Sequence, residues 1–149
     1  MDFMAANTIA APERARDFSQ MAEKAPHLRV LVVDDELLIR WSIAETLSRS
    51  GHTVVQAADG AGALEALSLP AEPVDAVVLD YRLPDSNDFA LLGRIRQLVP
   101  ASPVILVTAH GSQEITKGAL DLGAYAVVGK PFDVNELKDL LLKACHLAA

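Results

Sequence analysis

A single cysteine, Cys145, stands in the 149 residues, so the chain has no disulfide framework and no cysteine metal site. Its four histidines, His27, His52, His110 and His146, are scattered without ligand spacing. Basic residues are scarce, 13 Lys and Arg against 20 Asp and Glu, and no strip of them is long enough to track phosphates. With a net charge of −7 and a pI near 4.9, that scarcity argues against direct nucleic-acid binding. No apolar run approaches the ~18 residues of a membrane span. The N-terminus has an acid at Asp2 and no apolar block ahead of a cleavage site, so no signal peptide is expected. The expectation is a soluble, cytoplasmic protein. Apolar residues are plentiful at 51%, enough for a sizeable core in one domain's length of chain.

Residues 1–27 read as an N-terminal extension. Residues 1–11 are small and weakly polar and read as disordered. Over 12–25, Phe18, Met21, Ala22 and Ala25 fall at helical spacing behind Pro12, and Pro26 stops the run. A loose extension and a short docked helix both fit. From Leu28 to Leu147 the pattern is regular. Leu28–Val33 is a β-branched run, followed by a helix over Glu36–Ser50 with Leu37, Trp41, Ala44 and Leu47 on one face and Gly51 as its cap. Thr53–Ala57 is a strand, Gly60–Ser68 a helix and Pro70–Pro73 a breaker. Val74–Leu79 is a strand and Asp88–Val99 a helix ended by Pro100. Val104–Val107 is a strand, Ser112–Leu122 a helix capped by Gly123, and Tyr125–Val128 a strand. Asp133–Leu147 is the last helix, with Asp133 an N-cap candidate.

Five strand–helix units in strict alternation predict an α/β fold, a doubly wound parallel sheet, with no room for a second domain. Three strands are apolar on both faces, as a sheet covered on both sides requires. Such sheets bind ligands along the carboxyl edge of their strands.

What the strands carry to that edge is the informative part. The first ends at Asp34-Asp35-Glu36, the third at Asp80, the fourth at Thr108 and the fifth at Lys130-Pro131. Each has a plainer reading. The acid run can be a helix cap favoured by the dipole, Asp80 a turn residue, Thr108 a strand residue and Lys130 a solvated surface group. Together they can hold a hard divalent cation such as Mg²⁺, which takes a few carboxylates and keeps several waters. They can also hold a phosphoryl group, with Asp80 as nucleophile and Thr108 and Lys130 on the phosphoryl oxygens. A cis peptide at Pro131, an isomer found in only ~5% of X-Pro bonds, would fix the lysine's direction.

From Leu28 to Leu147 these motifs make the chain resemble the receiver domains of bacterial two-component response regulators. Asp34-Asp35 matches the family's acid pair and Asp80-Tyr81-Arg82-Leu83-Pro84 its phosphoacceptor motif. Thr108-Ala109 matches its T-A pair and Lys130-Pro131-Phe132 its K-P-F. The resemblance implies a flavodoxin-like five-stranded sheet of order 2-1-3-4-5 with five helices. It implies that Asp80 accepts a phosphoryl group from a phosphohistidine of a sensor kinase or histidine phosphotransfer protein. It also implies Mg²⁺ bound by Asp35, by Asp34 through water, by Asp80 and by the backbone carbonyl of Arg82. Thr108 and Lys130 would bind phosphoryl oxygens. Arg82 and His110 would flank the line of attack and modulate dephosphorylation. The protein would not be an enzyme beyond phosphorylating and dephosphorylating itself, and its downstream protein partner is unspecified.

Two positions depart from the family. Asp88 stands where glycine is usual, so the loop Asp85-Ser86-Asn87 is expected to run differently into the third helix. Val127 stands at the switch position, where the family has an aromatic, and Tyr125 does not occupy that place. Phosphorylation through Asp80 with a conventional change in partner binding therefore competes with a relay or phosphate-sink role. An aspartyl-nucleophile phosphatase would need a second Asp where Arg82 stands, and a dinucleotide binder a glycine-rich turn where the acid run stands. A pseudo-receiver would lack one of the acids or the lysine.

Overall fold

Val30, Leu31, Val32 and Val33 are shielded from solvent on both sides, as a central strand between two helical layers must be. The computed structural model describes residues 27–68 and 72–146. The helix expected over 12–25, with Pro26, lies outside them, as do Pro70 and Leu147. Five strands form one parallel sheet: β1 (Arg29–Val33), β2 (Thr53–Ala57), β3 (Ala76–Asp80), β4 (Val104–Thr108) and β5 (Ala126–Gly129). Their order is β2-β1-β3-β4-β5, the expected arrangement. Helices α1 (Leu37–Arg49), α2 (Gly60–Ser68), α3 (Ala90–Leu98), α4 (Gln113–Asp121) and α5 (Val134–Ala144) follow the strands in turn.

Alternation along the strands divides the core in two. Val30 and Val32 of β1 face one side, with Ile43 and Leu47 of α1 and Leu137 and Leu141 of α5. Leu31 and Val33 face the other, with Ala63 of α2, Leu92 and Ile95 of α3 and Ala119 of α4. Helix ends follow the sequence cues. Asp133 caps α5 by accepting the Asn135 N–H at 2.8 Å, and Ser112 caps α4 by accepting that of Ile115. Gly51 and Gly123 take positive φ beyond α1 and α4.

Four expectations need correction. The third strand starts at Ala76, not Val74, and ends at Asp80. Leu37 and Trp41 do not belong to the buried face of α1: they are 64% and 57% exposed, and the inner stripe is Ile43, Ala44 and Leu47. Ala44 and Leu47 are shared by both possible stripes, so spacing alone could not choose the phase. Helix α3 starts at Ala90, two residues later than expected, after a turn in which the Asp88 carboxylate accepts the Ala90 N–H at 2.9 Å. The last helix stops at Ala144, ahead of His146, whose φ is positive.

Candidate functional site

Sheet register builds the site. Val33 pairs with Leu79, so the next residues, Asp34 and Asp80, emerge side by side at the carboxyl edge. Thr108 pairs with Gly129, which delivers Lys130 one residue further, and the Lys130 N–H donates to the Thr108 carbonyl at 2.8 Å. The Lys130–Pro131 bond is cis.

The Lys130 ammonium lies 3.2 Å from Asp80 Oδ2, 3.1 Å from Asp34 Oδ2 and 2.7 Å from Glu36 Oε1. Asp34 and Asp80 are buried, and one carboxylate oxygen from each of Asp34, Glu36 and Asp80 falls within 4.8 Å of the others. Three acids against one ammonium leave an excess of negative charge in a poorly solvated place. Burial, then the neighbouring Asp34, pushes the Asp80 carboxyl up to about 6, against the partial opposition of Lys130. Burial works against the Lys130 ammonium, but hydrogen bonds to Glu36 and Asp34 and the charge of Asp80 outweigh it and hold the group well above its ordinary value.

Thr108 is buried, and its Oγ1 accepts the His110 N–H at 3.1 Å, which leaves the hydroxyl proton available to donate. The Arg82 N–H donates to Asp80 Oδ1 at 3.3 Å, while the Arg82 and His110 residues are exposed at the rim. Asp35 is exposed and lies outside the carboxylate group. Val127 is half-buried against the core beneath α4, and Tyr125 is exposed.

Some features could not be assigned from the sequence. Glu36 makes the shortest of the Lys130 ion pairs, although it is the outermost acid of its run. Asp85 reaches across to the start of α2, where its carboxylate accepts the N–H groups of Gly60 at 2.8 Å and Ala61 at 3.0 Å. Those two bonds hold its carboxyl below the usual carboxylate value. Leu83 and Ser86 exchange backbone hydrogen bonds and close the turn that carries Asp85. The cap-forming composition of 85–88 was the available signal, but it does not say which helix is capped.

The donor set fits a hard cation: oxygen ligands only, crowded and in charge excess. Lys130 and Thr108 add donors suited to phosphoryl oxygens. A model of the response regulator receiver domain matches residues 30–142. The chain belongs to the response-regulator receiver family. This receiver is 37% identical over 115 residues to the DNA-binding transcriptional regulator NtrC of Escherichia coli, covering 77% of this chain and 24% of that protein. It therefore spans about a quarter of that relative's length. It is 32% identical to sporulation initiation phosphotransferase F of Bacillus subtilis, over 77% of this chain and 91% of that one. Its fold superposes on a CheY-like receiver domain protein of Methanospirillum hungatei with a TM-score of 0.75, at 28% identity, over 81% and 95% of the two chains. Among the described residues no helix is long and apolar enough to cross a membrane.

Proposed function

We propose that residues 28–147 form the receiver unit, and that Asp80 takes a phosphoryl group from a phosphohistidine of a sensor kinase or histidine phosphotransfer protein. The observation that carries this reading is the buried Asp80 carboxylate at a sheet edge, 3.2 Å from Lys130 and beside Asp34. In the transfer an Asp80 oxygen forms a bond to phosphorus while the phosphorus–nitrogen bond breaks and the donor imidazole leaves with the electron pair. Lys130, already held at this carboxylate, exchanges one acid partner for a phosphoryl oxygen. The Thr108 hydroxyl donates to another. Asp80 must be ionised to attack, and a cation bound beside it would favour that form.

Asp34, Asp80 and the Arg82 carbonyl, with Asp35 or Glu36 from the rim, would hold Mg²⁺, which supplies neutralising charge for the phosphoryl oxygens. A solved CheX–CheY complex of Borrelia burgdorferi, which carries beryllofluoride and Mg²⁺, is 25% identical to this chain and supports that reading. Arg82 and His110, at the rim, would set how readily water reaches the phosphorylated Asp80. The exposed apolar trio Leu37, Leu38 and Trp41 begins α1 directly after the acid run and offers a protein donor a docking surface. The reading is a cytoplasmic receiver whose phosphorylation changes partner binding. Val127 favours a second reading, a relay or phosphate sink, because valine offers few contacts that differ between two states.

Incubation with acetyl phosphate and Mg²⁺ tests the assignment. Intact-mass spectra should show one added phosphoryl group, absent with EDTA and absent in Asp80→Asn. A mutant that labels as well as wild type would show that Asp80 is not the acceptor.

A further inference from the structure

With valine at 127, no ring on β5 ties the site to α4. An aromatic pair elsewhere makes such a connection. Tyr81 directly follows Asp80, and its N–H donates to the Val107 carbonyl at 2.8 Å, so its backbone stays in register with β4. Its ring meets that of Phe89 with centroids 5.4 Å apart and planes tilted by 56°. Phe89 in turn sits on α4. A Cβ placed on Gly118 would come within 2.6 Å of Phe89 Cε2 and 2.9 Å of Cζ, so the ring rests where any other residue would put its side chain.

Both ends of this contact are held differently. Phe89 is fixed at the base of α3, whose Leu91, Leu92 and Ile95 are buried. Helix α4 buries only Ala119, so little packing resists its displacement. Between Asp80 and Phe89 the chain is restrained by the Leu83–Ser86 turn and by the Asp85 carboxylate on α2. Movement of the strand end therefore has one aromatic outlet, and it leads to the loosely packed helix.

We propose that the Tyr81–Phe89 pair, seated on Gly118, transmits the change at Asp80 to α4, in place of the ring missing at Val127. Phe89 is a positioning residue in this scheme. The proposal rests on the assignment of Asp80 as phosphoacceptor. Glycine at 118 is required because it lets the Phe89 ring bear directly on the helix backbone, so that Phe89 passes a change in the Tyr81 ring to the helix with no side chain at 118 in between.

Amide chemical shifts of the full chain, with Mg²⁺ and with or without beryllofluoride, test it. In the wild type, the amides of Tyr81 and of Gln113–Asp121 should both respond. In Phe89→Ala and Phe89→Leu, the Tyr81 response should persist while that of α4 falls severalfold, and Phe89→Tyr should restore it. Gly118→Ala should displace the ring and shift α4 and Tyr81 amides even without beryllofluoride. An α4 response undiminished in Phe89→Leu would overturn the link, as would a wild type that responds at Tyr81 and not in α4. A wild type with no response at either place would overturn the phosphoacceptor assignment along with it.

Discussion

The two edges of the sheet are built from the same strands and treat polar groups in opposite ways. At the amino edge the buried polar residues His52 and Ser102 find partners, and Arg29 Nε is the one buried side-chain nitrogen or oxygen left without one among the described residues. His52 Nδ1 accepts the Leu28 N–H at 3.0 Å, and the Ser102 hydroxyl donates to the Val74 carbonyl at 2.7 Å. Asp75, though exposed, accepts the Arg29 N–H at 2.8 Å. At the carboxyl edge three acids crowd one ammonium. One edge pairs its buried residues with the backbone and is structural. The other carries an imbalance that folding alone does not favour, and such imbalance marks a place where a ligand is expected.

Substitutions should show the contrast in stability. The largest effect is expected from Lys130→Met, which leaves buried Asp34 and Asp80 without their counter-ion. Urea denaturation in EDTA at neutral pH should show a loss of about 3 kcal/mol. Asp80→Asn should do the reverse, a gain of about 2 kcal/mol at pH 8 in EDTA. Because the folded state raises this carboxyl from 3.8 to about 6, ionised Asp80 costs stability. The penalty is absent below pH about 4, sets in between about 4 and 6 and is complete above that, so the gain should vanish in acid. A wild type as stable as the mutant at pH 8 would mean that the acids are not in conflict.

The same fold offers a test at the amino edge. Burial first, then the nearby His27 and Lys138, lowers the pKa of His52 from 6.5. A histidine lowered in the folded state contributes stability that is complete above 6.5 and is lost as pH falls toward the folded value. His52→Gln, whose amide oxygen can still accept from Leu28, should flatten that slope. The smallest change in stability, within about 0.5 kcal/mol, is expected from Leu38→Glu on exposed α1. Labelling by a protein phosphodonor should nevertheless slow severalfold, with acetyl phosphate labelling unchanged. Equal slowing with both donors would remove the docking surface.

Much of this was legible in the residues. Strand ends are marked by a change from apolar runs to Asp34, Asp80, Thr108 and Lys130, and parallel register does the rest. Sheet order and the flanking helices follow from alternation and composition, and the caps at Asp133, Gly51 and Gly123 from local backbone chemistry. What stayed hidden depends on distances between segments remote in sequence. Glu36 reaches Lys130, Asp85 reaches α2 and Phe89 reaches Gly118 only once the sheet has assembled. The phase of α1 was hidden for another reason: Leu37 and Trp41 are apolar yet sit in water, and periodicity cannot tell a core face from a surface that something else covers.

Parallel strands followed by returning helices bring the described chain in and out on the same side. His27 enters β1 at the amino edge, and α5 runs back to it, where the Cys145 thiol lies 3.7 Å from the Asp75 carbonyl. Five-residue strands separate that edge from Asp80 by about 17 Å. Either end can therefore carry a tether to a sensor chip or a fluorescent fusion while the acidic mouth points away from the support. The thiol is a poor handle for this purpose. Burial, then Asp75, raises its pKa, so maleimide coupling at neutral pH should be slow, and a label is better introduced by a new cysteine beyond His146.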